Sequence, residues 1–414
     1  MTKENNIYKL SEIGTIIGGA TPSTIVDEYY GGDIPWITPK DLSFFYGRYI
    51  ERGERNITQK GLDSCSAQLL PAGSVLFSSR APIGYVAIAK NPLATNQGFK
   101  SVIPDKKKVD SLFLYYSLIY NKHKIEALGS GTTFKEVSGT TMRNVEITLP
   151  TLEEQKRIAG ILSALDDKIE LNRRINENLE QQAQALFKHW FVDFEFPNAE
   201  GKPYKSAGGK LVDSELGAIP EKWNVGNYTD IIDIKGGGTP KTDIAEYWNG
   251  DILFFSPKDV PSSCYVLNTE KRITNVGLEN CNSALYPKNT VFITARGTVG
   301  KVVMTGCDMA MNQTNYALLG KKGIGQYYVY NMTLLLVERL LKKANGAVFN
   351  AITTRDFSSE RIAIPNNDII DIFCEKTSPM YENILLNSIE NKKLSVIRDT
   401  LLPKLMNGEI TITE

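Results

Sequence analysis

The feature that most constrains this chain is that it contains itself twice. Residues 18–42, GGATPSTIVDEYYGGDIPWITPKDL, align without gaps on residues 236–260, GGGTPKTDIAEYWNGDILFFSPKDV, with 13 of 25 positions identical. Residues 57–97 align on 273–313 with 14 of 41 identical, including Cys65/Cys281, Arg80/Arg296 and Asn96-Gln97/Asn312-Gln313. GSGTTF (129–134) matches NGAVF (345–349), and ITLP (147–150) matches IAIP (362–365). The offset drifts only from 218 to 215, so the halves are nearly collinear. Two copies are too few for a solenoid, and they imply a pseudo-dimer in one chain with approximate two-fold symmetry.

Within each copy, short β-branched and apolar runs bounded by glycine (SVLFSSR, GYVAIAK; TVFITAR, GKVVMTG) predict strands. Residues 111–127 and 326–343 carry Leu and Tyr at helical spacing. Each copy therefore reads as an α+β domain, over 1–150 and 223–365, followed by a long helix over 151–195 and 366–414. The first helix opens on Thr151-Leu-Glu-Glu154, a capping box, and then runs about forty residues without proline, roughly 60 Å of helix. An apolar seam runs through Ile158, Leu165, Asn172, Leu179 and Leu186, alternating with Leu162, Ile169, Asn176, Ala183 and Trp190. Shifted by 215, the same seam reads Phe373, Met380, Asn387, Leu394 and Leu401, with Ile384 and Asn391. Asparagines recur at the same two seam positions. Buried asparagines cost stability and fix register by pairing, so the helices are expected to pack as an antiparallel coiled coil with Asn172, Asn176, Asn387 and Asn391 near the crossing. Residues 196–222, rich in Gly, Pro, Ser and charge, read as the linker between copies.

Composition narrows the function. The formal net charge is zero, but it is unevenly spread. Residues 1–150 carry 17 basic and 14 acidic side chains and residues 201–365 carry 19 and 15, whereas 151–200 carry 6 and 10 and 366–414 carry 5 and 8. Mildly basic domains thus alternate with acidic helices. Five cysteines without a CxxC pair and only two histidines leave little material for a zinc site or histidine catalysis. No apolar run is long enough to span a membrane and no secretory leader is visible, so a cytoplasmic location is expected.

Motifs for chemistry are missing. Gly236–Thr242 looks like a phosphate loop, but it lacks the full spacing, and its twin GGATPST has no lysine. The repeated element is Gly-Gly-x-Thr-Pro, a tight turn for which positive-φ glycine is expected. Asn91-Pro92-Leu93-Ala94 lacks the second proline and aromatic of an amino-methyltransferase, and Glu390-Asn-Lys392, the one nuclease-like string, falls in a helix. What remains is a signature of binding. Basic side chains supply phosphate affinity, and Arg, Lys, Asn and Gln read base edges. The DNA-binding candidates are Thr21, Ser23, Lys40, Arg80, Asn96 and Gln97 in the first copy. Their counterparts are Thr239, Lys241, Lys258, Arg296, Asn312 and Gln313. For the shared residues a role in holding the turn is the alternative. Positions that differ, Ser23/Lys241 and the loops 43–56 and 261–272, are expected to carry any difference in base preference.

The segments GGATPSTIVDEYYGGDIPW, GGGTPKTDIAEYWNGDI, TLPTLEEQKRIAGILSALDDKIELNRRINENLEQQAQALFKHWFVDF and ELGAIPEKW together resemble the specificity (S) subunit of type I restriction–modification systems over essentially the whole chain. The resemblance implies two target-recognition domains joined by two conserved helices, and no catalysis in this chain. It implies a bipartite target on double-stranded DNA, two methyltransferase (M) subunits and restriction (R) subunits as partners. S-adenosylmethionine, ATP and Mg would then sit on those partners and none here. Gln155, Arg157, Gln181 and Gln184, off the seam, are the expected M contacts. The second helix departs from the pattern by opening NNDIIDIF instead of LEEQ. A protein-binding adaptor and a stand-alone DNA-modifying enzyme are the alternatives left open by the residues themselves.

Overall fold

The structure is a computed structural model that describes residues 6–43, 45–131, 135–343, 351–410 and 412. It divides into two compact units, residues 1–170 with 393–414, and residues 171–392. The second unit is thus nested within the sequence of the first.

The two units share one strand topology. In the first, a five-stranded sheet runs in the order Gly14–Gly18, Lys100–Pro104, Val75–Ser79, Ile83–Ala89, Tyr49–Ile50. Beside it lies a three-stranded sheet of Arg55–Ile57, Tyr30–Ile37 and Ala94–Thr95. The second unit repeats this as Ile232–Gly236, Asn315–Gly320, Val291–Thr294, Val302–Thr305, Tyr265–Val266 and as Lys271–Ile273, Trp248–Phe255, Met309–Met311. In both, the first strand of the domain pairs antiparallel with the last, Asn6–Lys9 with Glu146–Leu149 and Asn224–Asn227 with Arg361–Ile364. The duplication in sequence is therefore a duplication of fold. Of the further repeat matches, 132–134 and 345–349 lie outside the described residues.

The doubled glycines owe their identity to close packing. A Cβ at Gly19 would lie 2.0 Å from the carbonyl oxygen of Asn96, and one at Gly237 would lie 2.1 Å from that of Asn312. Neither glycine has positive φ, so the expectation of a left-handed turn is corrected: the chain passes too near the facing strand end for any side chain.

The two long helices are Leu152–Phe191 and Asn367–Met406, each of 40 residues. Thr151 Oγ1 accepts the Glu154 amide at 3.3 Å, which starts the first. Within the second unit the helices run antiparallel. Asn172 Nδ2 donates to Asn391 Oδ1 at 2.9 Å, and Asn387 Nδ2 donates to Asn176 Oδ1 at 2.9 Å. Asn172 Nδ2 also reaches Glu390 Oε2 at 2.7 Å, so the nuclease-like Glu390 serves the seam. Further along, Phe373 packs against Phe187, Trp190 and Phe191 with ring centroids 5.7, 6.1 and 5.2 Å away. Burying rings of this size contributes about 1.5–3 kcal/mol each. In the first unit Ile158 and Leu162 share a core with Leu402, Leu405 and Met406, while Leu165 and Leu394 there, and Leu179 in the second unit, are half-buried.

Residues 196–222 are not a loose linker. Leu211–Ser214 and Gly217–Pro220 form an antiparallel hairpin, and Phe196 stacks between Tyr204 and Trp223 at 4.6 and 5.1 Å. Composition misleads here because a few aromatics outweigh many polar neighbours. No helix among the described residues is long and apolar enough to cross a membrane.

Each domain is seated on its long helices through one strand edge and one further helix, Ser111–Tyr120 or Gln326–Lys343, and the chemistry differs between copies. Arg48 and Cys264 are equivalent, since their carbonyls accept the amides of Ile88 and Met304 at 2.7 Å in both cases. Arg48 is buried, donating to the Ser163 carbonyl at 2.9 Å and to Tyr116 Oη at 3.3 Å, and pairing with Asp167. Asp166 accepts from Tyr116 Oη and from Arg398 Nη1, both at 2.6 Å. Burial works against the Arg48 charge, but its bonds to Tyr116 and Asp167 outweigh it and hold the guanidinium protonated. Burial, and then Asp166, push the Tyr116 phenol far above its ordinary range. In the second unit Cys264 is buried and uncharged, Tyr330 Oη donates to Glu180 at 2.7 Å, and Asn331 Nδ2 donates to Tyr381 Oη at 2.8 Å. The loops 43–56 and 261–272 are the segments expected to carry any difference in base preference. Within them Arg48, Cys264 and Tyr265 are buried in these seats, and Val266 is buried in the core of its own domain.

Candidate nucleic-acid interface

Sequence-distant polar residues meet at the ends of the strands that carry the repeated motifs. In the second unit Thr239, Lys258, Arg296, Asn312 and Gln313 line one cleft of about 590 Å³, together with Trp248, Lys271 and Thr298. Lys241 is not among its lining residues, although its carbonyl accepts the Trp248 indole N–H at 3.1 Å.

Each part of the cleft has a local cause. Thr239 Oγ1 donates to Gln313 Oε1, which ties the Gly-Gly-x-Thr-Pro turn to the Asn-Gln turn. Asn312 Oδ1 accepts the Thr314 amide at 3.1 Å, the Thr314 hydroxyl at 2.7 Å and Asn315 Nδ2 at 2.6 Å. Its carbonyl is therefore consumed in building the turn, and only its amide NH₂ is available to a ligand. The Pro-Lys-Asp motif works through its aspartate. Asp259 Oδ2 accepts the Ser256 amide at 2.8 Å while Oδ1 accepts the Glu270 amide at 2.6 Å, so the turn is clamped and Lys258 is left exposed. Lys258 and Arg296 make no ion pair among the described residues. Lys271 Nζ sits 5.4 Å from the Trp248 ring centre, a cation–π contact that keeps a second cation at the rim.

The first unit repeats the scaffold and most of its charges, Glu54 standing where Glu270 lines the second cleft, but pairs those charges differently. Thr21 Oγ1 donates to Gln97 Oε1, and Asn96 Oδ1 accepts the Gly98 amide at 2.9 Å. Asp41 accepts the amides of Thr38 and Glu54, both at 2.7 Å, as Asp259 does in its copy. Lys40, however, pairs with Glu54 at 2.8 Å, and Arg80 lies 3.6 Å from Glu136. The hydrogen bond to Glu54 holds the Lys40 ammonium above its ordinary range. Ser23 is exposed and carries no charge where Lys241 stands in the second copy.

Of the four helix residues expected to meet a partner, Gln155 is misplaced. It is buried, its Oε1 accepting the Asp110 amide and its Nε2 donating to the carbonyls of Lys108 and Pro150, each at 3.0 Å. It fastens the helix start to the first domain. Arg157 is half-buried and pairs with Glu153 at 3.0 Å. Gln181 and Gln184 are exposed, and Gln184 lines a groove of about 400 Å³ with Phe187, Leu334 and Leu335. Sequence reasoning missed Asp41, Asp259, Trp248, Lys271 and Glu136. The repeated Pro-Lys-Asp held the signal for the aspartates, because a residue kept in both copies yet flanked by a better-known ligand type invites a structural role. Among the described residues no cluster of three or more His, Cys, Asp or Glu side chains is arranged to hold a metal.

Two copies of one cation-bearing α+β scaffold, each seated on paired helices, define a duplicated protein. A family model described as "Type I restriction modification DNA specificity domain" matches residues 2–181 and 220–391, and the chain belongs to that family. It is 36% identical over its whole length to the type I restriction enzyme MjaIX specificity subunit of Methanocaldococcus jannaschii, covering 95% of that protein. It is 28% identical to the HindI specificity subunit of Haemophilus influenzae, over 85% of this chain and 89% of the other. The fold is also that of a type I restriction–modification S subunit from M. genitalium, with a TM-score of 0.58 at 15% identity over 100% of this chain and 98% of that one.

Proposed function

We propose that this chain is the DNA-reading subunit of a type I restriction–modification complex, with each domain reading one part of a bipartite target. The observation that carries this reading is the convergence of Thr239, Lys258, Arg296, Asn312 and Gln313 on one cleft, on a scaffold that the first unit repeats. Donors of this kind suit both phosphates and base edges: Lys and Arg supply the salt-dependent attraction, and Arg, Asn and Gln discriminate bases in the major groove. Two copies with different side chains on one scaffold suit two different half-sites.

The chain has no catalytic role in this reading. Methyl transfer belongs to two M subunits that hold S-adenosylmethionine, and cleavage to R subunits that use ATP and Mg. The acidic helices repel the duplex and suit protein docking. Gln181, Gln184 and the outer edge of Arg157 are proposed M contacts, with the Gln184 groove extending that surface. A complex of this kind works in the cytoplasm.

The test is to express the chain with its methyltransferase subunits and map methylated adenines across a genome. A split motif is expected, and exchange of residues 1–150 for another family member's domain should alter one half only. Methylation without bipartite preference would sink the assignment.

A further inference from the structure

The two domains place an arginine at the same point of the same strand end, Arg80 and Arg296, but give it different company. The backbone fixes the equivalence on both sides. Ser79 and Ala295 carbonyls accept the amides of Val137 and Ile352 at 3.0 and 2.9 Å, so Glu136 corresponds to Ala351. Lys100 sits opposite Gly18 in register, where Tyr316 sits opposite Gly236. In the first domain Glu136 therefore holds two cations, Arg80 at 3.6 Å and Lys100 at 3.2 Å. In the second domain an alanine and a tyrosine take those positions, and Arg296 faces the cleft with no ion pair among the described residues. All three side chains of the first set remain partly exposed, at 36% for Arg80, 38% for Glu136 and 15% for Lys100, so a ligand at the strand ends meets the carboxylate as well as the cations.

We propose that Glu136 is a specificity-determining residue of the first domain. It holds Arg80 and Lys100 away from non-cognate phosphates, while Arg296 in the second domain engages the backbone directly. A carboxylate inside a cationic reading surface acts against every duplex that does not satisfy it. Approach of a phosphate without a compensating base contact costs like-charge repulsion and strands the cations' partner. The first domain thereby gives up affinity for discrimination, and the second contributes the non-selective attraction that loads the complex onto DNA. This inference rests on the DNA-reading assignment made above.

The experiment uses the S–M complex, its mapped target duplex, and duplexes scrambled in the first or the second half-site. Dissociation constants are measured across a salt series for wild type, Glu136→Gln and Ala351→Glu. Glu136→Gln keeps the size of a partly exposed side chain, so folding is preserved. It should tighten binding to the first-half-scrambled duplex by about tenfold and steepen the salt slope by about one to two, as one or two cations gain phosphates. Discrimination at the second half-site should not change. Ala351→Glu should lower the slope by about one by capturing Arg296. If wild type discriminates both half-sites but Glu136→Gln leaves slope and first-site discrimination unaltered, the role of Glu136 is wrong and the DNA-reading assignment stands. If wild type discriminates neither half-site, both fall.

Discussion

The two domains share every strand and yet are held to their helices by different forces. The first is seated on charge: buried Arg48 and nearly buried Asp166 meet at Tyr116, joined by Arg398 and by Asp167 at the exposed edge. The second is seated on rings: Tyr327 and Tyr381 stack at 4.7 Å, Phe187 and Phe191 pack on Tyr328 at 5.6 and 4.9 Å, and Cys264 replaces the arginine. Topology sets where a domain attaches, and side chains choose how. A charged seat is directional and intolerant of losing one partner, whereas an aromatic seat loses contacts by degrees. Duplication has preserved the shape while the means of attachment diverged.

Removing one member of each seat should separate the two mechanisms most sharply. Arg48→Ala strips the Ser163 carbonyl and the Tyr116 hydroxyl of their buried donor, with Asp166 still held by Arg398, and should destabilise the first unit by about 3 kcal/mol. Phe373→Ala should cost the second unit a similar amount, about 3–5 kcal/mol, by opening a cavity. Hydrogen exchange resolved by peptide would show each loss confined to its own unit. Spread of either loss across both units would mean the seats are not independent.

The asparagine pairs offer a middle-sized effect. Asn172→Ala should cost about 1–3 kcal/mol, because it removes the hydrogen bonds that this buried amide donates to Glu390 and Asn391 across the seam. The double change Asn172→Leu with Asn391→Leu should raise the melting temperature of the second unit instead, since an apolar pair replaces a buried polar one. A lower melting temperature for the double variant would show that the pair stabilises the helices outright.

A smaller effect concerns pH. Burial raises the Glu180 carboxyl above its ordinary range, against the hydrogen bond from Tyr330, which lowers it, and Glu177 raises it further. The folded state thus holds this proton more tightly than the unfolded chain. Its contribution to stability is fully present below the unfolded pKa and is lost as pH rises through the folded value. Glu180→Gln should abolish that segment of the pH profile of the second unit while leaving the first unit's profile intact. Chemical denaturation at several pH values reads it directly; an unchanged profile would mean that Glu180 does not set it.

The smallest change in stability and the cleanest in binding is expected of Lys258→Ala. An exposed side chain with no ion pair among the described residues should alter stability by less than about 0.5 kcal/mol. The salt slope for DNA should still fall by about one. Lys40→Ala, which removes a lysine already paired with Glu54, should shift that slope less. Equal slopes for the two variants would remove the distinction drawn between the domains.

The duplication, the long helices and the asparagine seam were legible because each repeats at a fixed offset, and repetition within one chain needs no second sequence. The cleft residues were legible as a set for the same reason. Other features depend on distant contacts that no local pattern encodes. Gln155 sits in a polar stretch at a helix start, and only the proximity of Asp110 and Lys108 turns it inward. Arg48 lies in a segment without a close counterpart in the other copy, and at this one position the variability records a change of seat. Residues 196–222 have the composition of a linker, yet Phe196, Tyr204 and Trp223 convert it into packed structure.

The nesting of one unit inside the other has a consequence for the order in which the chain is built. Arg48 and Asp166 are synthesised early, but Arg398, Leu402 and Leu405, which complete their surroundings, follow only after the whole of residues 171–392 has been made. On a ribosome adding about 5–20 residues per second, the first domain waits on the order of ten seconds or more with an open flank. The second unit is continuous in sequence and can close without waiting. The domain that is synthesised first is therefore finished last, and until then Ile158 and Leu162 stay without Leu402, Leu405 and Met406.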